Sequence, residues 1–273
     1  MSKGLNLKKW ILILIALILP ASYHLLQTGF FGIIGNTSLI EIEFVRDQIM
    51  NGGQALDAIF CGLLIIVTLP FYYWIKKEKN DHSAKTNVSI NVIAKALIIA
   101  LGVGGLTTLI LHGMASLSSE GAEATQALND TFTTDASISM YIWSLLSVAI
   151  LGPIVEEILF RGILYNGIDW IKNGLYAAII SGIYFGFWHS MPIQIVYTSV
   201  LGIIFGLVYY STRNLGVLMF MHVVNNFSVT LPPALDTDGV NMTILIIKYI
   251  CVLPMIYLVY KWVKERKMIE SKK

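Results

Sequence analysis

The sequence predicts an all-α membrane protein, a polytopic bundle of about eight transmembrane helices. Apolar residues make up 56% of its 273 residues and charged residues only 13%, whereas a soluble domain usually carries about 25% charge. The apolar residues also fall into runs of about 20, the length that a helix needs to cross roughly 30 Å of hydrocarbon. A net charge of +2 excludes a nucleic-acid partner, because such a protein carries a large basic excess.

Eight apolar runs are candidate spans, and they do not alternate in the way that membrane β-strands require. In chain order they are Trp10–Gln27, Ala58–Ile75, Ile90–Met114, Met140 to about Ile168, Leu175–Ser190, Ile193–Tyr210, Leu215–Leu231 and Thr243–Val263. The polar, acidic segments at about residues 28–57 and 115–139 are expected to be external loops. We expect residues 1–273 to form a single membrane domain. The two cysteines, Cys61 and Cys251, lie in apolar runs and form no disulfide framework.

Charge alternates between the segments that connect these runs. Most of the 19 Lys and Arg residues lie near the two termini and in every second connection. Basic loops stay cytoplasmic, so both termini are predicted to be cytoplasmic, which agrees with an even number of spans. The basic tail, Lys261–Lys273, is expected either to contact anionic lipid head groups or simply to be a solvated end. The first run continues beyond Pro20 through Leu25, which favours an uncleaved span over a signal peptide.

Three groups of polar side chains interrupt the apolar runs in the second half of the chain. They are Glu156-Glu157-x-x-x-Arg161, Phe185-x-x-x-His189 and His222-x-x-x-Asn226. Ionisable groups are costly in hydrocarbon, so a span that keeps them usually needs them. A spacing of four residues places both members of a motif on one helix face.

The two glutamates support a structural and a functional interpretation. Glu157 and Arg161 share a helix face and can pair, while Glu156 points about 100° away. In the structural interpretation both acids pair with Arg161 and hold the bundle together. In the functional one, two acids and one base leave a carboxylate without a local partner, and such a group is suited to proton transfer.

The histidines are informative because they occur together. A lone membrane histidine is more often a hydrogen-bonded packing residue than a catalyst, but here two histidines and an asparagine lie on separate helices beside a double glutamate. Their convergence requires the membrane window of the fourth run to lie at about residues 146–166, with Pro153 as a kink. The other histidines, His24, His82 and His112, lie near span ends or in a loop and are interpreted as surface residues.

Together and in this order, the three motifs resemble those of the CAAX protease and bacteriocin-processing family of intramembrane endopeptidases, also called the CPBP or Abi family, which includes type II CAAX prenyl endopeptidases. The resemblance covers about Ile150–Phe227, within a motif-bearing core that we assign to residues 140–231. It implies an eight-helix protease that hydrolyses a peptide bond in a membrane-associated substrate, either lipidated or bacteriocin-like. A short chain of this kind is typical of a bacterial plasma-membrane member.

The resemblance also implies a role for each motif residue. Glu156 would be the base that activates water, and His189 would position or polarise that water. His222 and Asn226 would stabilise the oxyanion of the tetrahedral intermediate, while Glu157, Arg161 and Phe185 would support the site. This agrees with the chemistry of peptide hydrolysis, which needs a base, a positioned nucleophile and donors aimed at the developing negative charge.

The dependence on a cofactor is left open by the sequence. Glu156, His189 and His222 form a ligand set that zinc accepts, with water in the fourth position. The same residues also serve a metal-free, glutamate-dependent route, which we prefer.

Two other function classes compete with a peptidase. One is a non-catalytic bacteriocin-immunity or scaffold protein that kept the family frame. The other is a transporter, because buried Glu and His also mark ion paths. A transporter is expected to show matching halves with broken helices, and the first half of this chain carries no polar cluster that matches the second.

Overall fold

A computed structural model describes residues 7–50, 52–78, 86–132 and 138–272, and these residues form helices and their connections without a β-strand. His82 lies outside the described residues. In chain order the helices are α1 (Leu7–Gly35), α2 (Glu43–Met50), α3 (Gln54–Glu78), α4 (Ile90–Leu117), α5 (Ser119–Phe132), α6 (Ile138–Asp169), α7 (Gly174–Trp188), α8 (Pro192–Thr212), α9 (Leu215–Phe227) and α10 (Asp238–Glu270), with a short 3₁₀ turn at Ser38–Glu41. The all-α membrane fold is therefore confirmed.

Six of these helices, α1, α3, α4, α6, α8 and α10, are long and apolar enough to cross a membrane. The fifth predicted span, Leu175–Ser190, agrees within two residues with α7, which ends at Trp188. The seventh, Leu215–Leu231, is shorter than expected, because α9 ends at Phe227. With 15 and 13 residues, α7 and α9 measure only about 22 and 20 Å at 1.5 Å per residue. The second and third motifs lie at the ends of these two short helices.

The two predicted loops turn out to be largely helical. The first segment, 28–57, contains the end of α1, all of α2 and the first turn of α3, while Ser119–Phe132 forms α5 in the second. The sequence prediction recognised helices only as long apolar runs. It therefore missed the helical turns that consist of polar residues. As a result, α1 continues eleven residues beyond His24, which is therefore not at a span end.

Helix α6 is the central element of the bundle. Its segment Ile158–Tyr165 is buried at every position. This segment contacts α1, α3, α7 and α9. Around it, α7 packs along α8, and α4 packs along α10 and α9. A helix that is buried on all sides can carry charged groups only if neighbouring helices supply partners for them.

Glycines allow the closest of these contacts, those between α7 and α8. A Cβ atom added at Gly202 would lie 2.7 Å from the Gly182 carbonyl oxygen, and one added at Gly206 would lie 2.7 Å from the Ala178 carbonyl oxygen. No real Cβ atom tolerates such a distance, so these glycines let the two backbones touch.

Two π-helical segments of α6, Leu145–Leu151 and Ile158–Tyr165, bracket an α-helical turn, Gly152–Glu157. In the first segment the Gly152 N–H donates to the Ser147 carbonyl. Pro153 has no N–H, so the Val148 carbonyl loses both its α-helical and its π-helical donor. A carbonyl inside a helix bundle needs another donor, which a neighbouring helix can supply. Pro153 therefore changes the hydrogen-bond register within one run, Ile138–Asp169, instead of dividing it.

Candidate active site

The centre of the candidate site is a carboxylate with two basic partners. Glu157 Oε1 accepts a hydrogen bond from Arg161 Nη1 at 2.9 Å and another from His222 Nδ1 at 2.8 Å. Glu157 and Arg161 are fully buried and His222 is 3% exposed. The spacing of four residues on α6 makes the first bond, and α9 brings the histidine from 65 residues away. Charge compensation of this kind is what makes a buried carboxylate tolerable.

Arg161 connects three helices through its guanidinium. Its Nη2 donates to the Gly202 carbonyl of α8 at 2.9 Å, in the region where glycines bring α7 and α8 together. The guanidinium carbon lies 4.8 Å from the ring centre of Phe185 and 5.5 Å from that of Phe205. Aromatic faces stabilise a desolvated cation by about 2 kcal/mol. The arginine is thus part of the packed core as well as a partner of Glu157.

Glu156 differs from Glu157 in both exposure and partners. Its side chain is 16% exposed, against 0% for Glu157. Its Oε2 lies 3.6 Å from His222 Nε2, which is too far for a direct hydrogen bond. At such a separation a water molecule can bridge the two groups. Glu156 is therefore the more exposed of the two carboxylates, and Arg161 forms its ion pair with Glu157 instead.

His222 is oriented by its bond to Glu157. Because a carboxylate only accepts, the Nδ1 atom must carry the proton. The opposite nitrogen, Nε2, consequently faces Glu156, as a lone pair in the neutral ring and as an N–H donor in the imidazolium. The ring is packed against Phe185 and Phe205, with centroid distances of 6.0 and 5.4 Å.

His189 caps the end of α7 beside the same site. Its Nδ1 lies 2.9 Å from the Phe185 carbonyl oxygen, which can only accept, so this nitrogen donates and Nε2 is left as an acceptor in the neutral ring. His189 is half-buried and close enough to Glu156 and His222 to interact with them electrostatically. The Phe185 ring lies 4.7 Å from that of His189 and thereby stands between the two histidines.

Asn226 lies one turn beyond His222 on α9. Its Nδ2 donates to the Val148 carbonyl at 2.9 Å, and its Oδ1 accepts from Asn225 at 3.2 Å. Asn226 therefore supplies the donor that the Val148 carbonyl lacks. One hydrogen of the amide is committed to α6, and the second remains for another acceptor.

The first half of the chain contributes polar side chains near Glu156 that the three motifs do not indicate. Asp57 accepts from Gln27 Nε2 at 2.6 Å, and the Tyr23 hydroxyl lies 3.6 Å from Cys61 Sγ. Asp57, Tyr23 and Cys61 all lie within electrostatic range of Glu156. The sequence assigned Asp57 to an external loop, because its apolar run begins at Ala58. The polar side chains within the first two apolar runs were the feature of the sequence that could have indicated this contribution.

The structure thus brings Glu156, Glu157, Arg161, Phe185, His189 and His222 into one contacting cluster, with Asn226 one turn away. Among the described residues there is no group of three or more His, Cys, Asp or Glu side chains arranged to hold a metal ion. The Nδ1 atoms of both histidines are engaged, His222 by Glu157 and His189 by the Phe185 carbonyl, so only their Nε2 atoms could act as metal ligands. The set Glu156, His189 and His222 does not fit a closed metal site in this arrangement, and we derive no step through a metal ion.

Comparison with known proteins agrees with the resemblance seen in the motifs. The model of the family "Type II CAAX prenyl endopeptidase Rce1-like" matches residues 138–228. A protein of Bacillus subtilis (strain 168) named "Putative membrane peptidase YdiL" is 28% identical over 189 residues, covering 68% of this chain and 74% of that protein. No solved structure is significantly similar to the chain.

These similarities and the apolar helices support an integral membrane protein with protease activity. The match begins at the first residue of α6 and ends just after Phe227, so it contains all three motifs. Residues 138–228, with the site around Glu156, are thus similar to the Rce1-like family of type II CAAX prenyl endopeptidases.

Proposed function

We propose that the protein is an intramembrane endopeptidase in which Glu156 activates water to hydrolyse a peptide bond of a membrane-associated substrate. The observation that carries this proposal is the 3.6 Å separation between Glu156 Oε2 and His222 Nε2. A partly exposed carboxylate faces an imidazole whose other nitrogen is fixed by Glu157. A base and an oriented imidazole that can both contact one water lying beside them form an arrangement suited to general base catalysis.

In the proposed reaction, Glu156 removes a proton from water while the water oxygen bonds to the scissile carbonyl carbon. The tetrahedral intermediate then collapses, the C–N bond breaks, and Glu156 returns the proton to the leaving amine. The products are one carboxylic acid and one amine, so atoms and charge balance. His189 Nε2 accepts the second hydrogen of the water and so sets its orientation.

The oxyanion of the intermediate needs donors on the opposite side. His222 in its imidazolium form supplies Nε2–H, and Asn226 supplies the amide hydrogen that Val148 does not use. Glu157 accepts from His222 Nδ1 and thereby orients the imidazole, while Arg161 holds the carboxylate in place. Losing one such donor typically costs about 3–4 kcal/mol of transition-state stabilisation.

For the cofactor we prefer the metal-free route, and zinc held by Glu156, His189 and His222 is the alternative. Treating the purified protein with a chelator distinguishes the metal-free route from the zinc-dependent one. Unchanged cleavage supports the glutamate route, and a loss of cleavage that zinc restores supports the metal route.

The substrate class follows from where the site lies. The motif residues sit on apolar helices, so the substrate is a membrane-associated peptide or protein, lipidated or bacteriocin-like, and the other partners are membrane lipids. We propose the plasma membrane as the location, with both termini cytoplasmic, from the distribution of Lys and Arg. A reporter fused after Lys273 tests this orientation.

The test of the proposed activity uses wild type and Glu156→Ala in liposomes with a library of lipidated and hydrophobic peptides. Mass spectrometry of the products is expected to find cleavage by wild type alone. Thermal unfolding of both proteins serves as the control for folding. If both proteins are folded and their peptide products do not differ, the protease function would be rejected. A non-catalytic immunity or scaffold role would then be favoured.

A further inference from the structure

Helix α1 holds the end of α7 at a single residue, Trp188. His24 Nε2 lies 2.9 Å from the Trp188 carbonyl oxygen, and the two rings stack with centroids 4.6 Å apart. The Trp188 indole Nε1 donates to the Pro20 carbonyl at 3.0 Å. Both the backbone and the side chain of Trp188 are therefore fixed by α1.

The Trp188 carbonyl needs this contact because of its position. α7 ends at Trp188, and the last carbonyls of a helix have no partner within it. A carbonyl accepts only, so His24 Nε2 is the donor. Ser190 Oγ is a longer second partner of the same oxygen, at 3.4 Å.

The residue that follows Trp188 is His189, at the start of a strained turn. Ser190 has φ = 64°, in the left-handed region that non-glycine residues rarely occupy. The Met191 N–H donates to the His189 carbonyl at 2.7 Å. Strained backbone persists only where surrounding contacts hold it, and His24 provides the contact from α1 to the backbone next to this turn.

We propose that His24 is a positioning residue for His189, acting through the Trp188 carbonyl. This inference rests on the proposed function and extends the catalytic apparatus to α1, which carries none of the three motifs. His24 is exposed and lies within electrostatic range of His189. Because His24→Gln removes the ionisable ring but keeps a donor for the Trp188 carbonyl, it separates this electrostatic effect from the positioning of the turn that carries His189.

Three variants separate positioning from simple helix docking. His24→Gln keeps a donor for the Trp188 carbonyl, whereas His24→Phe keeps an aromatic ring for stacking and loses the donor. Tyr184→Phe is the matched control, because the Tyr184 hydroxyl donates to the Leu17 carbonyl at 3.1 Å. It removes a hydrogen bond between the same two helices without touching the turn.

In the liposome cleavage assay we expect His24→Phe to lower kcat about tenfold, since small misplacements of a reacting group can cost up to about 10²-fold. KM is expected to stay within about twofold, because a positioning residue acts on the chemical step. His24→Gln is expected to retain most of the activity, and Tyr184→Phe all of it. Wild-type activity in His24→Phe, or an equal loss in Tyr184→Phe, would overturn the proposal.

A second measurement does not depend on activity. Modification of His189 by diethyl pyrocarbonate, read by mass spectrometry, is expected to be faster in His24→Phe than in wild type or His24→Gln. Equal rates would contradict the positioning role even if wild type cleaves. Absence of Glu156-dependent cleavage in wild type, together with faster His189 modification in His24→Phe, would overturn the proposed function while leaving the structural link intact.

Discussion

The side-chain amide of Asn226 donates to the backbone carbonyl of Val148 at 2.9 Å. This bond joins α9 to α6 at the carbonyl that Pro153 and the π-helical register leave without a donor. A residue proposed as an oxyanion donor is thus also part of the helix packing. Its two amide hydrogens allow both roles, and they predict separable effects.

Asn226→Ala is expected to destabilise the protein by about 1–3 kcal/mol, because it leaves the half-buried Val148 carbonyl without its donor. In a Pro153→Ala background the loss is expected to be smaller, because residue 153 then supplies an N–H for the same carbonyl. Thermal unfolding of the two single variants and the double variant measures the coupling. Strict additivity would contradict this account of the π-helical segment.

Arg161→Met is expected to cost about 3–5 kcal/mol, because it leaves the charge of Glu157 buried with only His222 beside it. Arg161→Lys keeps the charge but cannot reach both Glu157 and the Gly202 carbonyl with a planar fork, so its loss is expected to be intermediate. Unfolding in detergent checks the order. A methionine variant as stable as wild type would show that the ion pair does not compensate Glu157.

Glu157→Gln is expected to lower kcat at least tenfold while most of the protein still folds. The amide can turn either its oxygen or its NH₂ group toward His222 Nδ1, so it no longer fixes the imidazole orientation that aims Nε2, the proposed oxyanion donor, at the site. The measurement is kcat alongside the amount of folded protein. Glu265→Gln, at an exposed position of α10, is the control and is expected to leave kcat unchanged. If Glu157→Gln retained the wild-type kcat, the proposed role of Glu157 in supporting His222 would be wrong.

Gly202→Ala is expected to destabilise the α7–α8 contact by about 1–3 kcal/mol, the usual cost of overpacking. Gly113→Ala in α4 is the matched control, since a Cβ atom there meets nothing within 4 Å. It is expected to be neutral or stabilising, because alanine is the better helix former. The thermal midpoints of the two variants should differ accordingly. Equal midpoints would mean that the backbones are not in contact at Gly202.

The sequence predicted those parts of the molecule that depend on helix periodicity and on charge in apolar runs. Spacing of four residues placed Glu157 with Arg161 and Phe185 with His189, and the burial cost of Glu and His marked the right helices. The family resemblance is confirmed by the match to residues 138–228. The roles of the individual residues, the cofactor and the orientation in the membrane stay predictions.

The rest depends on contacts between distant segments, which periodicity does not encode. Nothing local indicates that His24 reaches the Trp188 carbonyl 164 residues away or that Asp57 comes within range of Glu156. The early end of α9 was missed because apolar residues, Val229 and Leu231, continue past Phe227. The π-helical segments were missed because Pro153 predicts a kink as readily as a change of register.

The most direct test compares wild type, Glu156→Gln and Glu265→Gln on one identified peptide in liposomes. The glutamine is nearly the size of the glutamate but cannot accept a proton from water. We predict that kcat falls about 10²–10⁴-fold in Glu156→Gln, the usual contribution of a general base, and stays at the wild-type value in Glu265→Gln. A folded Glu156→Gln protein that cleaves at the wild-type rate would contradict the assignment of Glu156 as the base.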